Sequence, residues 1–124
     1  MPAISFVVFY ALDPRALAAF WGEALGYRIG LDEGKLVVIV DPAGHGTRIA
    51  FRHTPVPKRD RNRVHLDVAV WTDRQPILEE LDVERVRLEA LGATTVRLID
   101  QPRGAAHELY YQMLDPEGNE FCLQ

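Results

Sequence analysis

Two short strings recur in the same order along this chain. Ala24-Leu25-Gly26 is echoed by Ala90-Leu91-Gly92, and Asp41-Pro42-Ala43-Gly44 by Asp115-Pro116-Glu117-Gly118. Singly, each is local punctuation: glycine after leucine ends a helix because it accepts the left-handed conformation, and Asp-Pro-x-Gly makes a tight turn. Their shared order implies one supersecondary unit used twice. A single strand-helix-strands unit leaves one sheet face uncovered, so two copies must pack or curl around a common hollow to remove apolar surface from water. Such a hollow is the natural place for a ligand.

Hydrophobic patterning fills in the repeat. Residues 4–11, ISFVVFYA, are β-branched and aromatic on both sides, which predicts a buried strand. Asp13 can cap a helix and Pro14 suits its first position. Leu17, Phe20, Trp21, Ala24 and Leu25 then share a stripe until Gly26 stops the helix. Strands are predicted at 27–30, 35–40 and 47–52, with turn residues Asp32, Glu33 and Gly34 between the first two. Residues 53–63 hold two prolines and no periodicity, and read as a linker.

The second copy opens at 64–70 with His65, Asp67 and Ala69 on one face and Val64, Leu66, Val68 and Val70 on the other. Residues 71–82 read as a longer approach, a rim or partner surface. A helical region follows the strand; its later part, 83–91, places Val83, Val86, Ala90 and Leu91 on one stripe, and Gly92 closes it. Strands at 94–99, 108–114 and 120–124 follow, the first two joined by a Gly/Pro-containing connection over 100–105. The expected fold is therefore α+β, one domain over 1–124. It comprises two tandem βαβββ modules, about 1–53 and about 64–124, with a linker at about 54–63 and a curved mixed sheet around a cavity.

Several function classes are disfavoured by composition. A net charge of −4 provides no surplus of cations for a phosphate backbone. The basic linker group, Arg52, Lys58, Arg59, Arg61 and Arg63, lacks interleaved aromatics and reads as a solvated connection. Cys122 is the single cysteine, so no intramolecular disulfide forms and a reducing cytoplasm is the expected compartment. No run approaches the ~20 apolar residues of a membrane helix.

Three strings carry a resemblance to a known family: LDPRALAAFW at 12–21, RVHLDV at 63–68 and DPEGNEFC at 115–122. They resemble the vicinal oxygen chelate superfamily, which includes glyoxalase I, extradiol dioxygenases, fosfomycin-resistance and bleomycin-binding proteins, and in particular its small glyoxalase-like domains. The resemblance implies a homodimer and a small organic ligand. In metal-dependent relatives it implies up to four His, Glu or Gln ligands, one each on the first and last strands of both units. Transferred here, those positions fall on Phe6, near Arg52, on His65 and on Cys122, with Glu120 two residues earlier on the same strand face.

Phenylalanine offers no lone pair and arginine no acceptor, so about two donors remain where a divalent ion needs three or four. The expectation is a cavity binder without a complete metal site. A divalent metal on His65 with Glu120 or Cys122, serving a lyase, isomerase or dioxygenase, is the alternative, and a non-catalytic association domain a third. Without a metal, His65 and Glu120 are the acid–base candidates, and Phe6, Val8, Tyr10, Arg52, Asp67, Tyr111 and Cys122 the ligand-lining ones. His65 equally reads as a cavity histidine satisfied by Asp67 or Glu120, and Cys122 as a small hydrophobe. Tyr110 and Tyr111 face opposite sides of one strand, so one of them packs.

Overall fold

In the computed structural model, which describes residues 1–124, strand β1 (Phe6–Ala11) leads into helix α1 (Pro14–Leu25). Asp13 caps the helix by accepting the Ala16 N–H at 3.1 Å. Gly26 closes it at φ 69, where a Cβ would be strained, its N–H donating to the Gly22 carbonyl. Strands β2 (Arg28–Asp32), β3 (Leu36–Val40) and β4 (Arg48–His53) follow, and β1 inserts parallel beside β4 to give the order β1-β4-β3-β2. Leu17, Phe20 and Trp21 of α1 are buried, as are Val37, Ile39, Ile49 and Phe51 of the sheet. Phe9 ties the two layers, its ring 5.7 Å from Trp21 and 5.4 Å from Phe51. Each such large apolar side chain contributes about 1.5–3 kcal/mol by leaving water.

The expectation of a buried β1 fails on one face. Phe6, Val8 and Tyr10 are 39%, 48% and 64% exposed, while the alternate Phe9 turns toward α1. One helix covers only one side of a sheet, and apolar residues on the other side do not by themselves recruit a cover.

The second unit repeats the topology. Strand β5 (Leu66–Val68), helix α2 (Leu78–Ala90) and strands β6 (Thr94–Arg103), β7 (Ala106–Leu114) and β8 (Glu120–Leu123) form a sheet ordered β5-β8-β7-β6, with β5 parallel to β8. Helix α2 starts earlier than its apolar pattern predicts, and the expected stripe is wrong. Leu81 and Leu88 are buried at 0% and 1%, whereas Val83 and Val86 are 73% and 56% exposed. Leu81 and Leu88 lie seven residues apart and so share a face, whereas Val83 and Val86 fall on the other side of the helix. The sequence does not mark this start because Ile77, at the N-cap, has no side-chain acceptor; Glu80 reaches back instead and accepts the Ile77 N–H at 3.2 Å.

The connection expected over 100–105 shrinks to Gly104 and Ala105. Gly104 takes φ 60 at the first turn position and Ala105 stays at negative φ, the pattern of a type II′ hairpin. Pro102 fits inside β6 because that strand is at the sheet edge, where a missing N–H breaks no ladder. At the β7–β8 turn, buried Asp115 accepts the Glu117 N–H at 2.9 Å and the Asn119 N–H at 3.0 Å.

The chain resolves into two compact units, Met1–Lys58 and Arg59–Gln124, each a helix on one four-stranded mixed sheet. The expected α+β fold of two βαβββ modules is thereby borne out, with one four-stranded mixed sheet in each unit. No helix is long and apolar enough to cross a membrane.

Candidate functional site

Helix α2 covers one face of the second sheet and leaves the other bare. Alternation along β5, β7 and β8 decides which side chains stand there, and register aligns them: Asp67 is opposite Cys122, and Cys122 opposite Gln112. The result is a hollow of about 1000 Å³ whose lining includes His65, Asp67, Ala69, Trp71, Arg97, Tyr110, Glu120 and Cys122.

At its floor His65 Nε2 lies 3.0 Å from Asp67 Oδ1. The donor atoms of His65, Asp67 and Cys122 all fall within 4.8 Å of one another. Cys122 is half-buried, and burial, followed by the neighbouring Asp67 carboxylate, pushes its thiol up; Arg61 opposes this only in part. The shift runs away from the thiolate that a nucleophilic role would need. Glu120 faces the hollow too, but one oxygen accepts the Asn62 N–H at 2.9 Å and so anchors the chain entering β5.

The sequence marks the rim only as a stretch of chain, 71–82. Glu80 gathers it: Trp71 Nε1 donates at 3.1 Å, the Arg74 guanidinium at 2.8 and 2.9 Å, and Ile77 N–H at 3.2 Å. The Arg74 guanidinium also lies 4.8 Å over the Trp71 ring. These donors, Arg74 foremost, hold the Glu80 carboxyl at about 2. On the opposite wall Arg97 donates to Gln112 at 2.7 Å, Arg103 pairs with Glu108 at 3.0 Å, and His107 with Asp100 at 2.5 Å.

Not every expected site residue is brought here. Tyr111 points to the helix side, buried, its hydroxyl donating to Asp82 and its ring under Arg85; Tyr110 takes the place at the hollow. The pleat makes one of the two a packing residue, and only the register says which. Phe6, Val8, Tyr10 and Arg52 belong to the first unit. Phe6 is capped there by the Arg48 guanidinium at 4.2 Å, and Arg52 borders a shallow depression with Glu33, Lys35, Leu36 and His53.

For a divalent ion the count of donors rises from two to three. Imidazole, carboxylate and thiol on neighbouring strands form a donor set that such ions accept; the third member, Asp67, is expected from the sequence to line the cavity and to pair with His65, not to ligate. Between Glu120 and Cys122, it is Cys122 that joins His65.

The comparisons agree with this architecture. The fold matches a glyoxalase/bleomycin resistance protein/dioxygenase family enzyme from Burkholderia phytofirmans with a TM-score of 0.72, at 22% identity over 98% of this chain and 97% of that one. A mutant of the fosfomycin resistance protein FosX from Listeria monocytogenes, solved with Mn(II) and 1S,2S-dihydroxypropylphosphonic acid, matches with a TM-score of 0.75 at 17% identity, over 100% and 90% of the two chains. Lactoylglutathione lyase from Agrobacterium tumefaciens matches with a TM-score of 0.62 at 21% identity, over 99% and 92%. No curated protein sequence matches this chain at a significant level. The model of the glyoxalase-like domain matches residues 6–124. With that match spanning nearly the whole chain and the same fold in these solved structures, the protein belongs to the glyoxalase-like domain family of the vicinal oxygen chelate superfamily.

Proposed function

We propose that this protein binds a small anionic organic molecule in the hollow of its second unit. The observation that carries the reading is a concave sheet face on which two cations, Arg61 and Arg97, have no carboxylate partner, beside the polar cluster of His65, Asp67 and Cys122. Arg74 and Arg103 are already neutralised by Glu80 and Glu108, so they shape the wall more than they attract charge. Apolar Trp71, Leu114 and Ala69 would take the uncharged part of the ligand. That the FosX structure carries a small phosphonic acid supports an anion in a fold of this kind.

In this reading His65, oriented by Asp67, is the group positioned to take or give a proton, and Glu120 supports the floor through Asn62. Tyr110 supplies a hydroxyl to the ligand. The three-donor cluster favours a second reading, a metal-dependent enzyme; a bound divalent ion would serve as Lewis acid to a ligand oxygen. An association role is disfavoured because the hollow is open, not filled by side chains. A cytoplasmic homodimer of the 14.0 kDa chain belongs to the same proposal; a monomer in light scattering at every concentration would remove the dimer.

The test is a panel of small carboxylates and phosphonates with neutral analogues, read by thermal shift and by quenching of the exposed Trp71. Anions should bind preferentially, and Arg61→Ala with Arg97→Ala should weaken them by about tenfold or more, each factor of ten being about 1.4 kcal/mol. Equal affinity in the double variant, or no response to any anion, would end the proposal.

A further inference from the structure

We propose that the chain between β5 and α2 builds a flat aromatic wall on the hollow, and that the ligand is an acid carried on a planar aromatic or conjugated ring. The two units repeat one topology, yet they differ at this junction. Two residues, Leu12 and Asp13, lead from β1 into α1, whereas nine, 69–77, lead from β5 into α2. The added length lies beside the hollow, with Ala69, Trp71, Arg74 and Pro76 in its lining. This strap begins as an extension of the sheet, the Val70 N–H donating to the Gln124 carbonyl at 2.7 Å. Pleat alternation therefore carries the row of His65, Asp67 and Ala69 on to Trp71.

The indole is set before any ligand arrives. Its Nε1 donates to Glu80 at 3.1 Å, and the Arg74 guanidinium, held by both Glu80 oxygens at 2.8 and 2.9 Å, lies 4.8 Å over the ring. A ring fixed in this way binds without the entropy cost of ordering it. With its one polar atom satisfied, Trp71 has only π surface left to offer, and 45% of the residue stays exposed. Exposed Ala69 stands between Asp67 and Trp71 in the row, and its single methyl leaves a notch beside the indole. A flat ring can lie there in full contact with the indole and a puckered one cannot; such stacking adds about threefold to tenfold in affinity beyond area burial. The inference rests on the anion reading only for the acid group, since Arg61 and Arg97 lie outside the strap.

Calorimetric titration with two matched pairs, benzoate against cyclohexanecarboxylate and benzamide against cyclohexanecarboxamide, provides the test. Within each pair the flat ring should bind about threefold to tenfold more tightly, whereas a wall that is only apolar gives the opposite order, the saturated ring exposing more apolar surface. Trp71→Leu should bring benzoate down to the affinity of cyclohexanecarboxylate, and Trp71→Phe should keep most of the difference. Ala69→Val fills the notch and should weaken benzoate about threefold or more. Both positions are exposed, and circular dichroism checks that each variant folds. In the unaltered protein the benzoate protons should shift upfield in NMR through the indole ring current. Equal affinity within both pairs, tighter binding of the saturated rings, a flat-ring preference that survives Trp71→Leu, benzoate indifferent to Ala69→Val, or no ring-current shift would each overturn the proposal. A flat-ring preference with acid and amide bound equally would remove the acid and leave the aromatic wall; a preference for acids regardless of ring shape would remove the wall and leave the anion reading. Absence of binding by all four ends both.

Discussion

At Asp41 and Asp115 the same side chain closes the corresponding turn of each unit, in different surroundings. Asp115 is 3% exposed and accepts from the Glu117 and Asn119 backbones and from the Asn119 amide, so its removal strands buried donors. Asp115→Ala should cost about 2–3 kcal/mol in denaturant unfolding. Asp41 accepts from Ala43, His45 and Gly46, chiefly the Ala43 and Gly46 backbones holding its carboxyl low, but water reaches these groups, and Asp41→Ala should cost clearly less. Equal losses would show that burial does not set the difference. Tyr111→Phe removes the hydroxyl with its bond to Asp82, whose carboxylate water partly reaches, and its interaction with Arg85; it should cost at most about 1 kcal/mol and leave anion binding intact.

Helix α2 shows what a weak apolar stripe needs from its neighbours. Leu81 and Leu88 alone are buried along it, and the sheet side is completed by polar contacts: Asp82 to Tyr111 and Glu89 to Thr95. Leu88→Ala should destabilise by about 2–5 kcal/mol, and Val83→Ala by no more than about 0.5 kcal/mol, in urea unfolding; the reverse order would restore the stripe expected from periodicity. The N-terminus of the helix is pH-sensitive through Glu80. Its folded carboxyl at about 2 lies below the ordinary 4.5, so its contribution is complete above about pH 4.5 and is lost as pH falls toward 2. Glu80→Gln cannot ionise and should flatten the acid limb of the stability profile over that window. An acid limb as steep as the wild type's would show that the Trp71, Arg74 and Ile77 donors do not act through this charge.

Across the whole molecule one topology carries two different surfaces. The first unit leaves Phe6, Val8 and Tyr10 on its open face with Arg48 over Phe6, while the second leaves imidazole, carboxylate and thiol. The cluster of His65, Asp67 and Cys122 thus belongs to one copy of the duplicated unit, and a ligand bound there should stabilise that copy by mass action. A small anion that binds the hollow, at about a hundred times its dissociation constant, should raise stability by about 2.7 kcal/mol in thermal unfolding. A melting temperature indifferent to every anion of the panel would count against the hollow as the ligand site.

The amino-acid order alone determined what neighbours along the chain can enforce. Asp13, Pro14 and Gly26 delimit α1, the echoed turns mark the duplication, and strict alternation assigns His65, Asp67 and Ala69 to a shared face. These are legible because capping, left-handed glycine and the pleat act over a few residues. Tertiary structure alone decided the rest: which side of β1 goes uncovered, that α2 turns its leucines inward instead of its valines, that Tyr110 and not Tyr111 reaches the hollow, and that Cys122 meets Asp67. Each depends on the register and packing of elements far apart in the chain, and a shift of one residue would move every side chain to the opposite face.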